Sequence, residues 1–103
     1  MFFAMNRFQV RLGHEEEFEG VWKNRDSRLK DVPGFVEFNL LRGPSNDTYT
    51  LFASHTLWAS RDDFVAWTKS QAFRDAHRSA GEHRHMYLDG PHFEGFDSVH
   101  HIK

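Results

Sequence analysis

Three side chains stand in apolar patterns that have no structural need of them: Asn6, Trp67 and His77. A buried asparagine amide must find hydrogen-bond partners or cost about 1–3 kcal/mol. It does so either by bonding neighbouring backbone or by pointing at a ligand in a cavity. A tryptophan turned inward offers the largest rigid apolar surface of any side chain. A histidine turned inward is either a structural imidazole or, in its neutral form, a metal ligand, haem iron included. With Phe73 beside His77, the inward inventory is amide, aromatic surface and imidazole. That set suits the binding of a large flat cofactor, with an amide to hydrogen-bond on its far side. Other chemistries lack their parts. The chain has no cysteine, which excludes disulfides, thiolate catalysis, thiolate haem ligation and iron–sulfur clusters. No Ser-His-Asp order, P-loop or G-x-G-x-x-G occurs, and no carboxylate pair stands out for glycoside chemistry.

The elements that must position these residues are legible in the periodicity. Residues 2–12 alternate as a strand, with Phe2, Ala4, Asn6, Phe8, Val10 and Leu12 on one face. Gly13 breaks it. Residues 14–32 turn helical, with Phe18, Val21, Trp22, Arg25 and Leu29 at helical spacing. Glu15, Glu16 and Glu17 could be taken for metal ligands. Consecutive carboxylates on a helix point in different directions, so capping and solubility is the better reading. Pro33-Gly34 marks a turn, 35–42 a second strand, 43–47 a hairpin loop and 48–58 a third strand. His55 on that strand is a secondary pocket residue, read first as structural. Ser60 and Ser70 are N-caps for helices over 61–69 and 71–81. Phe64 and Trp67 line the inner side of the first; Phe73, Ala76, His77 and Ala80 line one face of the second. The connection 82–92 has few periodic cues, and 92–99 reads as a last strand with Gly95 a possible bulge. His83 and His85 form an H-x-H pair with no further ligands nearby in sequence, a weak metal signal. His100 and His101 are read as solvated near a terminus.

At 103 residues the chain fits one domain spanning 1–103. Hydrophobic residues make up 39% and charged residues 27%, an ordinary globular balance. The 11 phenylalanines fit either a small core filled with large side chains or a pocket for a flat apolar ligand. A net charge of −2 and the absence of a basic stripe give no reason to expect nucleic acid. No apolar run is long enough to span a bilayer, and MFFAMNRFQV lacks the features of a signal peptide, so no membrane partner and a cytoplasmic location are expected. The order β-α-β-β-α-β is that of the α+β, ferredoxin-like fold, an antiparallel sheet with helices on one face. The other face needs a cover, and a second copy is the economical one; the expectation is a homodimer.

The stretches AMNRFQV (4–10), FEGVWKNRDSRL (18–29), PGFVEFNLLRGP (33–44), W-x-S-x-x-D-F-x-x-W-x-x-S-x-x-F-x-x-A-H (58–77) and FEGF (93–96) carry a resemblance. The chain resembles the IsdG-like haem-degrading monooxygenases of the antibiotic biosynthesis monooxygenase (ABM) superfamily, especially the proteobacterial HmuQ/HmuD type, whose fold is a dimeric α+β barrel. The resemblance implies an active-site trio of Asn6, Trp67 and His77, with Phe73 also at the cofactor. His77 would be the proximal ligand of haem iron. Asn6 would orient the oxidant toward a meso carbon, and Trp67 would hold the porphyrin out of plane. Haem would be both cofactor and substrate, O2 and an external electron donor (a reductase or small reductant) would be consumed, and iron and a bilin-type tetrapyrrole would be released. Two other functions suit the same pocket: a cofactor-independent ABM-type oxygenase of a quinol-like aromatic, and a haem-binding or haem-delivery protein without turnover.

Overall fold

The computed structural model describes residues 1–25, 28–77 and 80–103, with the side chains of 80–82 left out. The chain runs β1 (Phe2–Arg11), α1 (Glu15–Lys23), a 3-10 turn (Leu29–Asp31), β2 (Phe35–Ser45), β3 (Tyr49–Trp58), α2 (Arg61–Thr68), α3 (Gln71–Ala76), a second 3-10 segment (Ala80–Met86) and β4 (Tyr87–Asp97). The four strands form one antiparallel sheet in the order β2-β3-β1-β4. This is the ferredoxin-like α+β arrangement the element order predicts.

The alternation of β1 holds. Phe2, Ala4, Phe8 and Val10 are buried, and their cross-strand partners on β3 are Trp58, Thr56, Phe52 and Thr50, buried too. The apolar residues of this face fall into two separate clusters. Phe8, Val10 and Phe52 pack with Phe18 of α1 and Met86; Phe2, Ala4 and Trp58 pack with Phe64 and Trp67 of α2, Leu29, Val32 and Phe35. The pair Asn6–Ser54 and the neighbouring Thr56 lie between them on the central strands. His55 belongs to the opposite face, in register with Met5 and Asn39 and close to the Phe3 ring. It is therefore not on the side of Asn6.

Both serine caps form. Ser60 Oγ accepts from the Asp63 backbone N–H and Ser70 Oγ from that of Phe73. The helices themselves are shorter than their periodicity suggests. The helix expected over 14–32 ends at Lys23, and Arg28 adopts a left-handed conformation with φ 51°. At its end the Asn24 N–H still bonds the Gly20 carbonyl, while the Arg25 N–H bonds that of Trp22 in a tighter turn. The helix expected over 71–81 stops at Ala76, with His77 as its C-cap. Residues 78–79 lie outside the described part, and Ala80–Met86 is a 3-10 segment.

Two strands are longer than expected. β2 continues through 43–45, where an edge strand tolerates Pro44. β4 starts at Tyr87, and 87–92 is strand rather than connection. Its register against β1 shifts around Gln9, which scrambles the alternation that would have announced it. Gly95 sits in regular register opposite Ala4, so the bulge lies elsewhere; a Cβ there would come within 2.6 Å of the Phe2 ring. Gly90 has φ +112°, and a Cβ would meet the Arg7 carbonyl oxygen at 2.7 Å. Gly90→Ala is therefore expected to cost roughly 1–3 kcal/mol in urea unfolding. Gly20→Ala, on an open position of α1, should gain up to about 1 kcal/mol. Equal midpoints for the two variants would contradict this placement of β4.

Candidate functional site

Because the two aromatic clusters do not merge, the middle of the sheet is left uncovered by bulky side chains. A cavity of about 250 Å3 lies there, lined by Asn6, Phe8, Trp22, Arg25, His77, Arg84, Tyr87, Gly90 and Pro91. A second, of about 140 Å3, adjoins it over Ser54 and Thr56 and shares Trp22, Arg25 and His77 with the first. Asn6 and His77, 71 positions apart in sequence, thus face one space. The Asn6 amide has no hydrogen-bond partner among the described residues, so of its two readings the structure favours the cavity.

His77 is held by the end of its own short helix. The Phe73 carbonyl accepts from the His77 backbone N–H at 3.1 Å and from the ring Nδ1–H at 2.8 Å. The Phe73 ring lies 4.2 Å from the imidazole at a tilt of 30°. With Nδ1 as the donor, the lone pair is on Nε2, the arrangement a metal-ligating histidine needs. Burial pushes the His77 pKa below the ordinary value, the Phe73 hydrogen bond opposes that, and Arg25 adds to the lowering. The neutral imidazole is favoured.

Trp67 is not among the residues lining the cavity that Asn6 and His77 share. It belongs to the second aromatic cluster, edge-on to Phe73 at 4.8 Å and 6.1 Å from the His77 ring, against Trp58 at 5.4 Å. The structure therefore places Trp67 and Phe73 as the packing around His77. The indole Nε1 atoms of Trp22, Trp58 and Trp67 are buried with no acceptor among the described residues; that of the cavity residue Trp22 is a donor that a ligand could satisfy.

Two site residues were not singled out for chemistry in the sequence. Arg25 lines both cavities, with its guanidinium 4.2 Å over the Trp22 ring. Burial lowers its pKa and the nearby Tyr87 phenol opposes that, yet a guanidinium stays charged. No carboxylate among the described residues pairs with it. Its signal was visible: an arginine in the apolar stripe of a helix. Arg84, on the 3-10 segment, adds a second cation and had no periodic cue. His55 is across the sheet, and His100 and His101 are exposed.

Residues 1–79 match the family described as antibiotic biosynthesis monooxygenase. The chain belongs to that family. Among curated relatives, a haem-degrading monooxygenase of Bacillus cereus is 33% identical over 66 residues, 64% of this chain and 62% of that protein. Among solved structures, the haem-degrader MhuD of Mycobacterium tuberculosis, with two haems bound in its active site, superposes with a TM-score of 0.73 at 26% identity over the whole of both chains. SnoaB of Streptomyces nogalater, a cofactor-independent oxygenase, has the same fold, with a TM-score of 0.70 at 23% identity over 98% of this chain and 95% of its own.

The His77 environment has a consequence in solution. An NMR titration of its ring is expected to give a midpoint below the ordinary value of about 6.5. The unfolded chain then binds the proton more readily, so this group's contribution to stability is present above about pH 6.5 and is lost as pH falls toward the folded value. A midpoint at or above 6.5 would contradict the burial.

Proposed function

We propose that this protein is a haem-degrading monooxygenase, taking haem in the space between Asn6 and His77. It would open the porphyrin with O2 and an external electron donor and release iron and a bilin-type tetrapyrrole. The observation that carries the reading is the pairing, on one cavity, of an anchored neutral imidazole with an amide that has no partner among the described residues. The names of the Bacillus relative and of MhuD support it.

The residues present fit the group. His77 offers Nε2 to iron while Nδ1 stays on the Phe73 carbonyl. Phe8, Trp22 and Tyr87 give apolar wall, and Arg25 is a cation with no carboxylate partner among the described residues, suited to the acidic side chains of a porphyrin. The two adjoining cavities, about 250 and 140 Å3, reach the size range of cofactor sites, roughly 300–1,000 Å3, when taken together.

Haem supplies the iron at which oxygen is activated and the ring that is attacked. The chain's part is positional. Asn6 would offer its amide N–H to the space facing His77 and, being uncharged, would bring no repulsion to an anionic group there. Trp67 and Phe73 would back the imidazole and restrain its rotation. Ser54 and Thr56 leave room beneath. Such positioning of reacting groups would be worth several kcal/mol.

The homodimer belongs to the same proposal. Phe3, Leu41, Leu51, Leu57 and Phe96 share the sheet face opposite the one on which Phe18 of α1 and Phe64 of α2 pack, and light scattering should read about twice the 12.2 kDa chain mass. A monomer at working concentration would remove this part.

With haem, a reductant and air, the Soret band is expected to decay with release of iron, catalase present to exclude free peroxide. Persistence of the band leaves a haem carrier instead, and no defined haem stoichiometry leaves a cofactor-independent oxygenase. His77→Ala should lose the histidine-ligated spectrum. Asn6→Ala should keep it and turn over roughly a hundredfold more slowly; wild-type turnover would remove the role of Asn6.

A further inference from the structure

The fold brings together a second group of ligand-type side chains that sequence spacing keeps apart. His14 stands at the N-terminus of α1, Glu17 in its first turn, and His85 in the 3-10 segment before β4. His14 Nδ1 lies 2.9 Å from Glu17 Oε1, and His85 Nε2 lies 2.9 Å from Glu17 Oε2. The two imidazoles meet edge to face with centroids 5.6 Å apart. One nitrogen from each ring and a carboxylate oxygen all fall within 4.8 Å of one another.

We propose that His14, Glu17 and His85 form a binding site for a divalent transition-metal ion of the zinc class, with water completing the coordination.

The geometry needs little adjustment. Ligand bonds of about 2.0–2.2 Å in a tetrahedral shell place donor atoms roughly 3.4 Å apart. The two contacts to Glu17 stand at 2.9 Å and no ligand-atom separation exceeds 4.8 Å, and all three side chains are partly or fully exposed, so shifts of about an ångström meet no packed wall. The protonation chemistry is also in place. Each imidazole now turns one nitrogen to Glu17, while His14 Nε2 and His85 Nδ1 have no partner among the described residues. To ligate, each neutral ring moves its proton to that outer nitrogen, where water accepts it.

The donor set selects the ion. Two nitrogens and one oxygen suit zinc, cobalt, nickel or ferrous iron; calcium and magnesium call for oxygen shells. Three protein ligands leave open positions, as in exchangeable rather than sealed sites.

The location gives the ion a structural effect. It would clamp the start of α1 to the 3-10 segment Ala80–Met86. α1 carries Trp22, and the other segment carries Arg84, two walls of the candidate cavity. The inference does not depend on what that cavity binds. It also alters the reading of the glutamate run. Glu15 does cap the turn, accepting from the Gly13 N–H and from Thr50 Oγ1, and Glu19 pairs with Arg42. Glu17 alone turns to two histidines.

The test is a zinc titration of the full-length, haem-free protein by calorimetry, with cobalt absorption as the spectroscopic probe. One ion per chain is expected at this site. His85→Ala, Glu17→Gln and His14→Ala should each weaken zinc at least about tenfold. Circular dichroism of the Glu17→Gln protein checks that the fold is intact. Replacing His100 and His101 by alanine, or His77 by alanine, should leave the affinity unchanged. Absence of zinc binding, unchanged affinity in both His85→Ala and Glu17→Gln, or loss confined to the His77 or tail variants would each overturn the site.

Discussion

The gap between two aromatic clusters is the constraint on which the rest depends. A four-stranded sheet with helices on one face would ordinarily close its core from end to end, since each buried aromatic adds a large favourable term. Here the closure is interrupted where β1 and β3 present Asn6, Ser54 and Thr56 instead of large side chains. Phe8, Phe18 and Phe52 hold one side together and Phe2, Trp58 and Phe64 the other. The cost is two small cores in place of one larger core; the return is a lined cavity over the central strands. A ligand with an extended apolar surface would restore the burial that the chain forgoes, which links folding to binding in a single argument.

The second half of the site comes from where a helix stops. α3 is one and a half turns long, and its last carbonyls need donors. His77 supplies two, from its backbone and its ring, to the same Phe73 oxygen. The backbone bond is the last rung of the helical ladder, and the ring adds a second donor to the same oxygen, which fixes the orientation of the imidazole. The packing of Phe73 and Trp67 behind the ring completes the restraint, and burial keeps it neutral.

Much of this is local and so could be read from sequence. Strict alternation put Asn6 on the helix side, the two serines capped their helices as placed, and spacing turned His77 inward. What failed to show is what the tertiary structure decides. The helices end at Lys23 and Ala76 although the apolar spacing runs on past both, and periodicity does not report such ends. The start of β4 was hidden by its register shifts at a sheet edge, where pairing on only one side relaxes the pattern. Arg25 was in view as a charge within an apolar stripe, although its meaning needed the cavity. The meeting of His14 and Glu17 with His85 spans most of the chain, and no short-range pattern encodes it.

Paramagnetic broadening tests the central claim most directly: that the ligand occupies the gap over Asn6 and below His77. Isotope-labelled protein would be loaded with ferric haem and compared with the same protein carrying a diamagnetic metalloporphyrin. The account predicts that the strongest losses fall on His77, the Asn6 side-chain amide and the Trp22 indole N–H, while His55 and its neighbours on the opposite sheet face are spared. Broadening centred on His55 and the uncovered face, with Asn6 and His77 unaffected, would contradict it.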